Sequence, residues 1–159
     1  MTTINAARRA FFKYSRRTIE NRMPWAVAAF DERCRRCDAC IKACEEKILV
    51  AGDGGFPTVD FERGGCTWCG ACVDACEYGA LDRRLDPPWR LRAAIDETCL
   101  SVQGITCRAC GDECEARAIR FQLQPGGRAV PKIDPALCNG CGSCIAICPT
   151  HVIQIQEAA

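Results

Sequence analysis

Apolar residues along this chain occur in short runs that glycine, proline or charged residues interrupt. Two stretches show the same order: an apolar run, a glycine-rich turn and a second apolar run. They comprise residues 48–50, 52–55 and 56–60 in the first copy, and residues 118–123, 125–127 and 129–134 in the second. Short apolar segments on either side of a glycine-rich turn predict a β-hairpin. The chain therefore reads as two copies of one small unit.

Further short elements are predicted around these hairpins. Residues 80–82 and 152–155 are expected to form closing strands, and residues 40–44 and 72–76 suit short helical turns. Pro87-Pro88 interrupts regular structure, and residues 89–97 are expected to form one or two helical turns after it. No apolar run approaches the ~18 residues that a membrane span requires, so we expect a soluble protein without a membrane span.

Composition changes this picture, because 16 of the 159 residues are cysteine. Units this small often cannot bury enough apolar surface to fold unaided, so another kind of cross-link is expected. The cysteines form four groups of four, and three of these groups have the spacing Cys-x2-Cys-x2-Cys-x3-Cys. The groups are Cys34, Cys37, Cys40 and Cys44; Cys66, Cys69, Cys72 and Cys76; Cys99, Cys107, Cys110 and Cys114; and Cys138, Cys141, Cys144 and Cys148.

Three chemistries compete for these thiols. Disulfides require an oxidising compartment, and triplets spaced two residues apart would form strained bridges that close almost no loop. Zinc usually takes two separated Cys-x2-Cys or histidine pairs, which leaves the third cysteine of each group unexplained. The triplet fits a 4Fe-4S cluster directly, because in the bacterial ferredoxin pattern the fourth cysteine of one group binds the cluster of the other group.

Crossed ligation predicts four cluster sites, and we call their cysteines sets 1 to 4. Set 1 is Cys34, Cys37, Cys40 and Cys76; set 2 is Cys66, Cys69, Cys72 and Cys44; set 3 is Cys99, Cys107, Cys110 and Cys148; set 4 is Cys138, Cys141, Cys144 and Cys114. The predicted fold is a small α+β protein of two tandem bacterial 2[4Fe-4S] ferredoxin-like modules with little regular secondary structure. We place the modules at residues 30–83 and 99–159, with a linker at 84–98.

The remaining segment, residues 1–29, is basic and is predicted to dock a protein partner. Residues 1–33 hold seven Lys or Arg against three acidic residues, a local charge of +4, while the whole chain carries +1. Arg8-Arg9 resembles a twin-arginine export signal, but the apolar stretch that such a signal needs is missing. Arg8, Arg9, Phe11 and Phe12 are therefore candidate partner contacts, because arginine and aromatic side chains are common interface anchors. The balanced total charge argues against a nucleic-acid binder.

These features together resemble the NapF-type ferredoxin-like proteins that accompany periplasmic nitrate reductase. The resemblance rests on Arg8-Arg9, on Pro24-Trp25, on the string of residues 37–45 and on the Cys99-x7-Cys107 gap. It implies a cytoplasmic accessory protein with four 4Fe-4S clusters that meets the catalytic nitrate reductase subunit before export. Such proteins are thought to help install or reduce the iron-sulfur cluster of that subunit.

No acid-base pair or nucleophile stands out, so we expect an electron-transfer or maturation protein rather than an enzyme. Our leading interpretation is a monomeric accessory protein of nitrate reductase maturation. The alternative is a soluble polyferredoxin that carries electrons to another oxidoreductase, and a purely structural metal-bound scaffold is a third possibility. Arg35, Arg36 and Arg108 lie beside cysteines and are expected to raise cluster potentials by favouring the reduced, more negative state.

Overall fold

The computed structural model describes residues 23–158, and its regular elements are short. Within that range the helices are α1 (Phe30–Arg33), α2 (Ala39–Ala43), α3 (Ala71–Asp74), α4 (Ala109–Asp112) and α5 (Ser143–Ala146), with a 3-10 turn at Asp53–Gly55. The strands are β1 (Leu49–Ala51), β2 (Pro57–Val59), β3 (Leu91–Ile95), β4 (Ile119–Leu123), β5 (Ala129–Ile133) and β6 (Ile153–Glu157). They form three two-stranded antiparallel sheets, β1-β2, β3-β6 and β4-β5.

Both predicted hairpins are confirmed. In the first, Leu49 lies opposite Val59, and in the second Ile119 lies opposite Ile133. Paired glycines with positive φ make both turns, as at Gly126 (φ 82°) in the second hairpin. Glycine suits these turns because it lacks the Cβ that penalises a left-handed backbone. The two halves of the chain therefore repeat the same local structure.

Each half is closed by a segment before its first cysteine group that pairs with a segment after its last. In the second half this pairing is the full β3-β6 ladder, so the closing strand predicted at 152–155 is confirmed, shifted to 153–157. In the first half it is a single antiparallel bridge between Ala26 and Leu81, and the Asp82 N–H donates to Trp25 O at 2.8 Å. The strand predicted at 80–82 is thus reduced to one bridge.

The helical turns predicted for residues 89–97 are wrong, because this segment contains strand β3. Its burial alternates along the chain: Leu91 and Ala93 are buried, while Arg92 and Ala94 are partly exposed. An alternation of period two suits a strand with one buried face, and β6 provides the partner. A short apolar segment forms a strand when another strand offers it an unpaired edge. The helical propensity of residues 89–97 does not show that β6 offers such an edge.

Two segments that lie outside the predicted module bounds contact the two halves. Residues 23–29, which the sequence pattern places in the basic segment, contribute Met23 and Trp25 to the core of the first half, at 1% and 7% exposure. Strand β3 lies within the predicted linker 84–98 yet pairs with β6 of the second module. Residues before Phe30 thus pack in the core of the first half, and residues before Cys99 pair with a strand of the second half.

Each half has its own hydrophobic core, and cysteines belong to both. In the first half Cys44 and Cys72 pack with Met23, Phe30 and Ile48, which are all buried. In the second half Cys110, Cys144 and Cys148 pack with three buried aliphatic residues, Ala93, Ile119 and Ile153. The core side chains thus converge on the thiols. Within residues 23–158 no helix has the length and apolar character needed to cross a bilayer.

Candidate metal centres

Four of the short helices each carry the third cysteine of one group. Cys40 lies in α2, Cys72 in α3, Cys110 in α4 and Cys144 in α5. Before three of these helices the chain adopts a left-handed conformation, at Asp38, Gly70 and Gly142. In these three groups the loop thus reverses direction just before the helical turn that carries the third cysteine.

The sixteen thiols all lie within the described residues, and none of them forms a disulfide. Cys37 and Cys69 are exposed, one in each of the first two groups. The buried thiols are Cys44, Cys72, Cys99, Cys110, Cys144 and Cys148, and the other eight are half-buried. In the first half the groups thus reach from the core to the surface, whereas every thiol of the second half is buried or half-buried.

The first group lies beside the last cysteine of the second group. Burial raises the pKa of the Cys40 thiol to about 11, and repulsion from Cys34 and Cys76 adds to the rise. Repulsion of this kind requires neighbouring charges, and an adjacent positive or metal charge would relieve it. Three of the four set 1 cysteines are therefore electrostatic neighbours in the folded chain.

The second group shows the reciprocal arrangement. Burial raises the pKa of Cys66 to about 11, and Cys69 and Cys44 contribute repulsion, as does Cys141 from the other half of the chain. The pKa of Cys72 rises to about 12, again through burial first and then through repulsion from Cys66, Cys40 and Cys69. Set 2 is thus brought together, and Cys40 of set 1 and Cys141 of set 4 are also neighbours of its members.

The third group, with its lengthened first gap, behaves in the same way. Burial raises the pKa of Cys110 to about 11, and the neighbouring charges that add to this rise belong to Cys99, Cys107 and Cys148. These four residues are set 3. The seven-residue gap is therefore compatible with bringing Cys99 to its group, and the inserted loop is fastened by a hydrogen bond from Ser101 Oγ to Ala129 O.

The fourth group completes the pattern. Burial raises the pKa of Cys144 to about 12, and Cys141, Cys138, Cys110 and Cys114 add repulsion. Three of these four neighbours belong with Cys144 in set 4, and Cys110 belongs to the adjacent set 3. In both halves the fourth cysteine of one group thus lies beside the triplet of the other.

Cys148 differs from these thiols because its pKa is lowered. Burial acts to raise this pKa, but hydrogen bonds from the backbone of Val152 and from Thr150 outweigh burial. Thr150 Oγ1 lies 3.7 Å from Cys148 Sγ. Hydrogen bonds to a thiolate stabilise the charged form, which is also the form that binds metal.

Hydrogen bonds reach other sulfurs of the second half. The Ala93 N–H donates to Cys138 Sγ at 3.5 Å, and the Ala118 N–H donates to Cys114 Sγ at 3.3 Å. Both acceptors belong to set 4. Donors to cluster sulfurs favour the reduced, more negative state and so raise the reduction potential.

One arginine in the first cysteine group and one in the third contact aromatic rings. The Arg36 guanidinium lies 4.2 Å from the Phe56 ring centroid, and that of Arg108 lies 5.0 Å from the Phe121 centroid. Cation–π contacts of this length are attractive and restrict the side chain. Two of the three arginines expected to tune potentials are thus fixed near their cysteines.

Sequence reasoning missed the contact between the two halves. We call it the intermodule seam; it consists of Phe61, Gly65, Cys66 and Trp68 from the first half and of Trp89 and residues 139–143 from the second. The signal that marked it was the glycine pair Gly64-Gly65 directly before Cys66. Arg8, Arg9, Phe11 and Phe12, the predicted partner contacts, lie outside the described residues.

The donor set of each group fits a cluster in chemistry. A cubane takes one thiolate at each of four iron corners, and so spreads its ligands more widely than a single ion does. Among residues 23–158 no three Cys, His, Asp or Glu side chains stand close enough together to hold a single metal ion. What the structure shows instead is thiols that neighbour one another, all four in sets 2, 3 and 4 and three of the four in set 1, with repulsion that bound iron would relieve.

Comparison with known proteins supplies the family. The family model for the 4Fe-4S dicluster domain matches twice, at residues 33–80 and 105–152. The chain is 41% identical over 157 positions to "Ferredoxin-type protein NapF" of Escherichia coli K12, covering 96% of each protein. It is 43% identical over 171 positions to "Ferredoxin-type protein NapF" of Haemophilus influenzae Rd, covering 99% of this chain and 97% of that protein. The two domain matches fall on the two repeated units.

Proposed function

Because the chain belongs to the NapF family of ferredoxin-type proteins, we propose that it is a cytoplasmic accessory protein of periplasmic nitrate reductase. In this proposal it holds four [4Fe-4S] clusters, contacts the catalytic subunit before export, and assists the maturation or cluster loading of that subunit. The observation that carries it is the near full-length similarity to NapF proteins, together with two dicluster domains.

Four clusters are supported by the way the thiols group. The neighbours that raise the pKa of Cys40 and of Cys110 are members of sets 1 and 3, and those of Cys66 and Cys144 are chiefly members of sets 2 and 4. Crossed ligation accounts for these neighbours, because it joins the triplet of one group to the fourth cysteine of the other. When bound, such clusters supply one-electron transfer.

Cluster binding changes the electrostatics of the chain. Each cubane with four thiolates adds about two negative charges, so four cubanes shift the formal +1 to roughly −7. The described body of the protein then becomes acidic, while residues 1–22 remain basic. An acidic body with a basic, aromatic segment suits a protein partner better than a nucleic acid, whose phosphates the body repels.

A deletion tests the docking role of the N-terminal segment. Removing residues 1–22 leaves all sixteen cysteines and the core residue Met23 in place, so the variant is expected to retain wild-type iron and sulfide. It is expected to lose binding to the purified, unexported reductase precursor in a pull-down. A matched Arg8→Lys/Arg9→Lys variant keeps the charge and is expected to bind at least in part. A truncated protein that binds the precursor normally contradicts docking through this segment.

The alternative function, a soluble electron carrier, is favoured by the exposure of Cys37 and Cys69. A ligand thiol at the surface brings its cluster close to an external redox partner. A carrier turns over repeatedly with a donor reductase and needs no nitrate reductase precursor. Multiple turnovers in an anaerobic assay, combined with no measurable precursor binding, would support the carrier over the maturation role.

A further inference from the structure

We propose that the intermodule seam is a positioning device that fixes the ligand loops of sets 2 and 4 against each other, so that the four clusters form one coupled series. The inference rests on the four-cluster proposal above. It assigns Gly65, Gly142 and Trp89 as positioning residues. Without the seam, the two cluster pairs would lack these contacts between their ligand loops.

The ligand loops touch through the backbone itself. The Cys66 N–H donates to Cys141 O at 2.8 Å. Cys66 is the first cysteine of the second group, and Cys141 is the second cysteine of the fourth group. No side chain separates the two loops at this point, so their relative position is set by a hydrogen bond between two ligand residues.

Two glycines allow this close approach. A Cβ at Gly65 would overlap Ser143 Oγ and lie 2.8 Å from the Ser143 backbone nitrogen. A Cβ at Gly142 would overlap the Phe61 ring of the opposite half, and Gly142 also has a φ of 88°. Any larger residue at position 65 must push the halves apart, because the atoms it meets include backbone.

Trp89 contacts residues of both halves at the seam. Its ring is buried, and its Nε1–H donates to Asn139 O at 3.0 Å, directly beside the fourth group. The same ring makes edge contacts with Trp68 at 5.0 Å and Phe61 at 5.7 Å between centroids, both from the first half. Aromatic pairs in this geometry attract beyond their burial. One indole thus holds the loops of both halves.

The order of the sets follows from these contacts. Sets 1 and 2 share the first half, because their groups exchange fourth cysteines, and sets 3 and 4 share the second half in the same way. The seam joins set 2 to set 4 through Cys66 and Cys141. Sets 1 and 3 therefore lie at the two ends of the series, next to the fixed side chains of Arg36 and Arg108.

The test compares Gly65→Leu with Thr67→Leu in the full-length, cluster-loaded protein. Both variants add bulk in the same loop, but Gly65 faces Ser143 across the seam while Thr67 is exposed. Hydrogen exchange at the Cys66 amide is the first measurement. We expect this amide to be protected in wild type and in Thr67→Leu, and to exchange at least about tenfold faster in Gly65→Leu at equal iron content.

Electron paramagnetic resonance of the fully reduced proteins is the second measurement. Gly65→Leu is expected to lose the part of the spin–spin broadening that arises between the halves, while Thr67→Leu keeps it. If Gly65→Leu does not load iron, Phe61→Ala replaces it, because this change removes a seam contact from a half-buried position. An unprotected Cys66 amide in the wild type, or a loaded seam variant with unchanged exchange and broadening, overturns the proposal. Either result leaves the proposed function standing when wild-type iron content and precursor binding are intact.

Discussion

Crossed ligation predicts how much iron is lost when two cysteines are removed together. Consider two double variants of the first half, Cys34→Ala/Cys76→Ala and Cys66→Ala/Cys76→Ala. If Cys76 completes set 1, the first variant removes two ligands from one cluster, and the second removes one ligand from each of two clusters. If Cys76 instead completes its own group, the two outcomes are exchanged.

The expected iron contents follow from four irons at each site. The intact chain should hold about 16 iron atoms, Cys34→Ala/Cys76→Ala about 12, and Cys66→Ala/Cys76→Ala about 8. The structure supports the smaller iron loss for Cys34→Ala/Cys76→Ala, because Cys34 and Cys76 are both electrostatic neighbours of Cys40. Alanine is used because a serine oxygen can still bind iron.

The assay is anaerobic iron and acid-labile sulfide analysis of protein quantified by amino-acid analysis. The second half provides a matched pair, because Cys107→Ala/Cys148→Ala should lose about 4 irons and Cys138→Ala/Cys148→Ala about 8. Greater retention of iron by Cys66→Ala/Cys76→Ala than by Cys34→Ala/Cys76→Ala refutes the crossed arrangement. Equal loss of about 8 irons in both would show instead that each module loads its clusters as a unit, and would refute the reasoning that separates the sites.

Three further predictions concern backbone, potential and folding. Gly140→Ala is expected to destabilise the loaded protein in thermal unfolding by about 1 to 3 kcal/mol more than Gly126→Ala, because its Cβ would overlap the Leu91 carbonyl while that at Gly126 meets nothing. Arg36→Gln is expected to lower the midpoint potential of one cluster in a redox titration, since it removes a positive charge that contacts the Phe56 ring. The control Arg120→Gln, at an exposed position of β4, should change no midpoint potential. Unchanged midpoint potentials in Arg36→Gln would refute this. Iron removal by an anaerobic chelator is expected to abolish most far-UV circular dichroism, because cluster binding supplies folding free energy that the small cores lack; a fully structured apo protein would contradict it.

Much of the local structure could be predicted because it is encoded locally. The glycine-rich turns require residues that tolerate positive φ, and the apolar runs beside them need a partner strand close in sequence. The spacing of the cysteines likewise predicts the helical turns at Cys40 and Cys72, whereas the hairpins are predicted from the apolar runs and their glycine-rich turns. These elements depend on neighbours within a few residues.

The features that were not predicted depend on contacts between distant parts of the chain. Strand β3 is a strand because β6, far along the sequence, offers an edge to it. In the sequence Met23 and Trp25 look like an extension of the basic segment, but they pack in the core of the first half together with Phe30. The seam depends on Gly65 facing Ser143; the Gly64-Gly65 pair can mark a close approach in the sequence, but it does not reveal which distant residue approaches it. Only the folded chain shows these partners.

The most direct test of the four-cluster claim is iron and acid-labile sulfide analysis of anaerobically purified protein, with low-temperature electron paramagnetic resonance after dithionite reduction. The account predicts about 16 iron and 16 sulfide per chain, with signals from interacting reduced cubanes. Zinc without sulfide would contradict it, and would leave the sixteen thiols as structural metal sites.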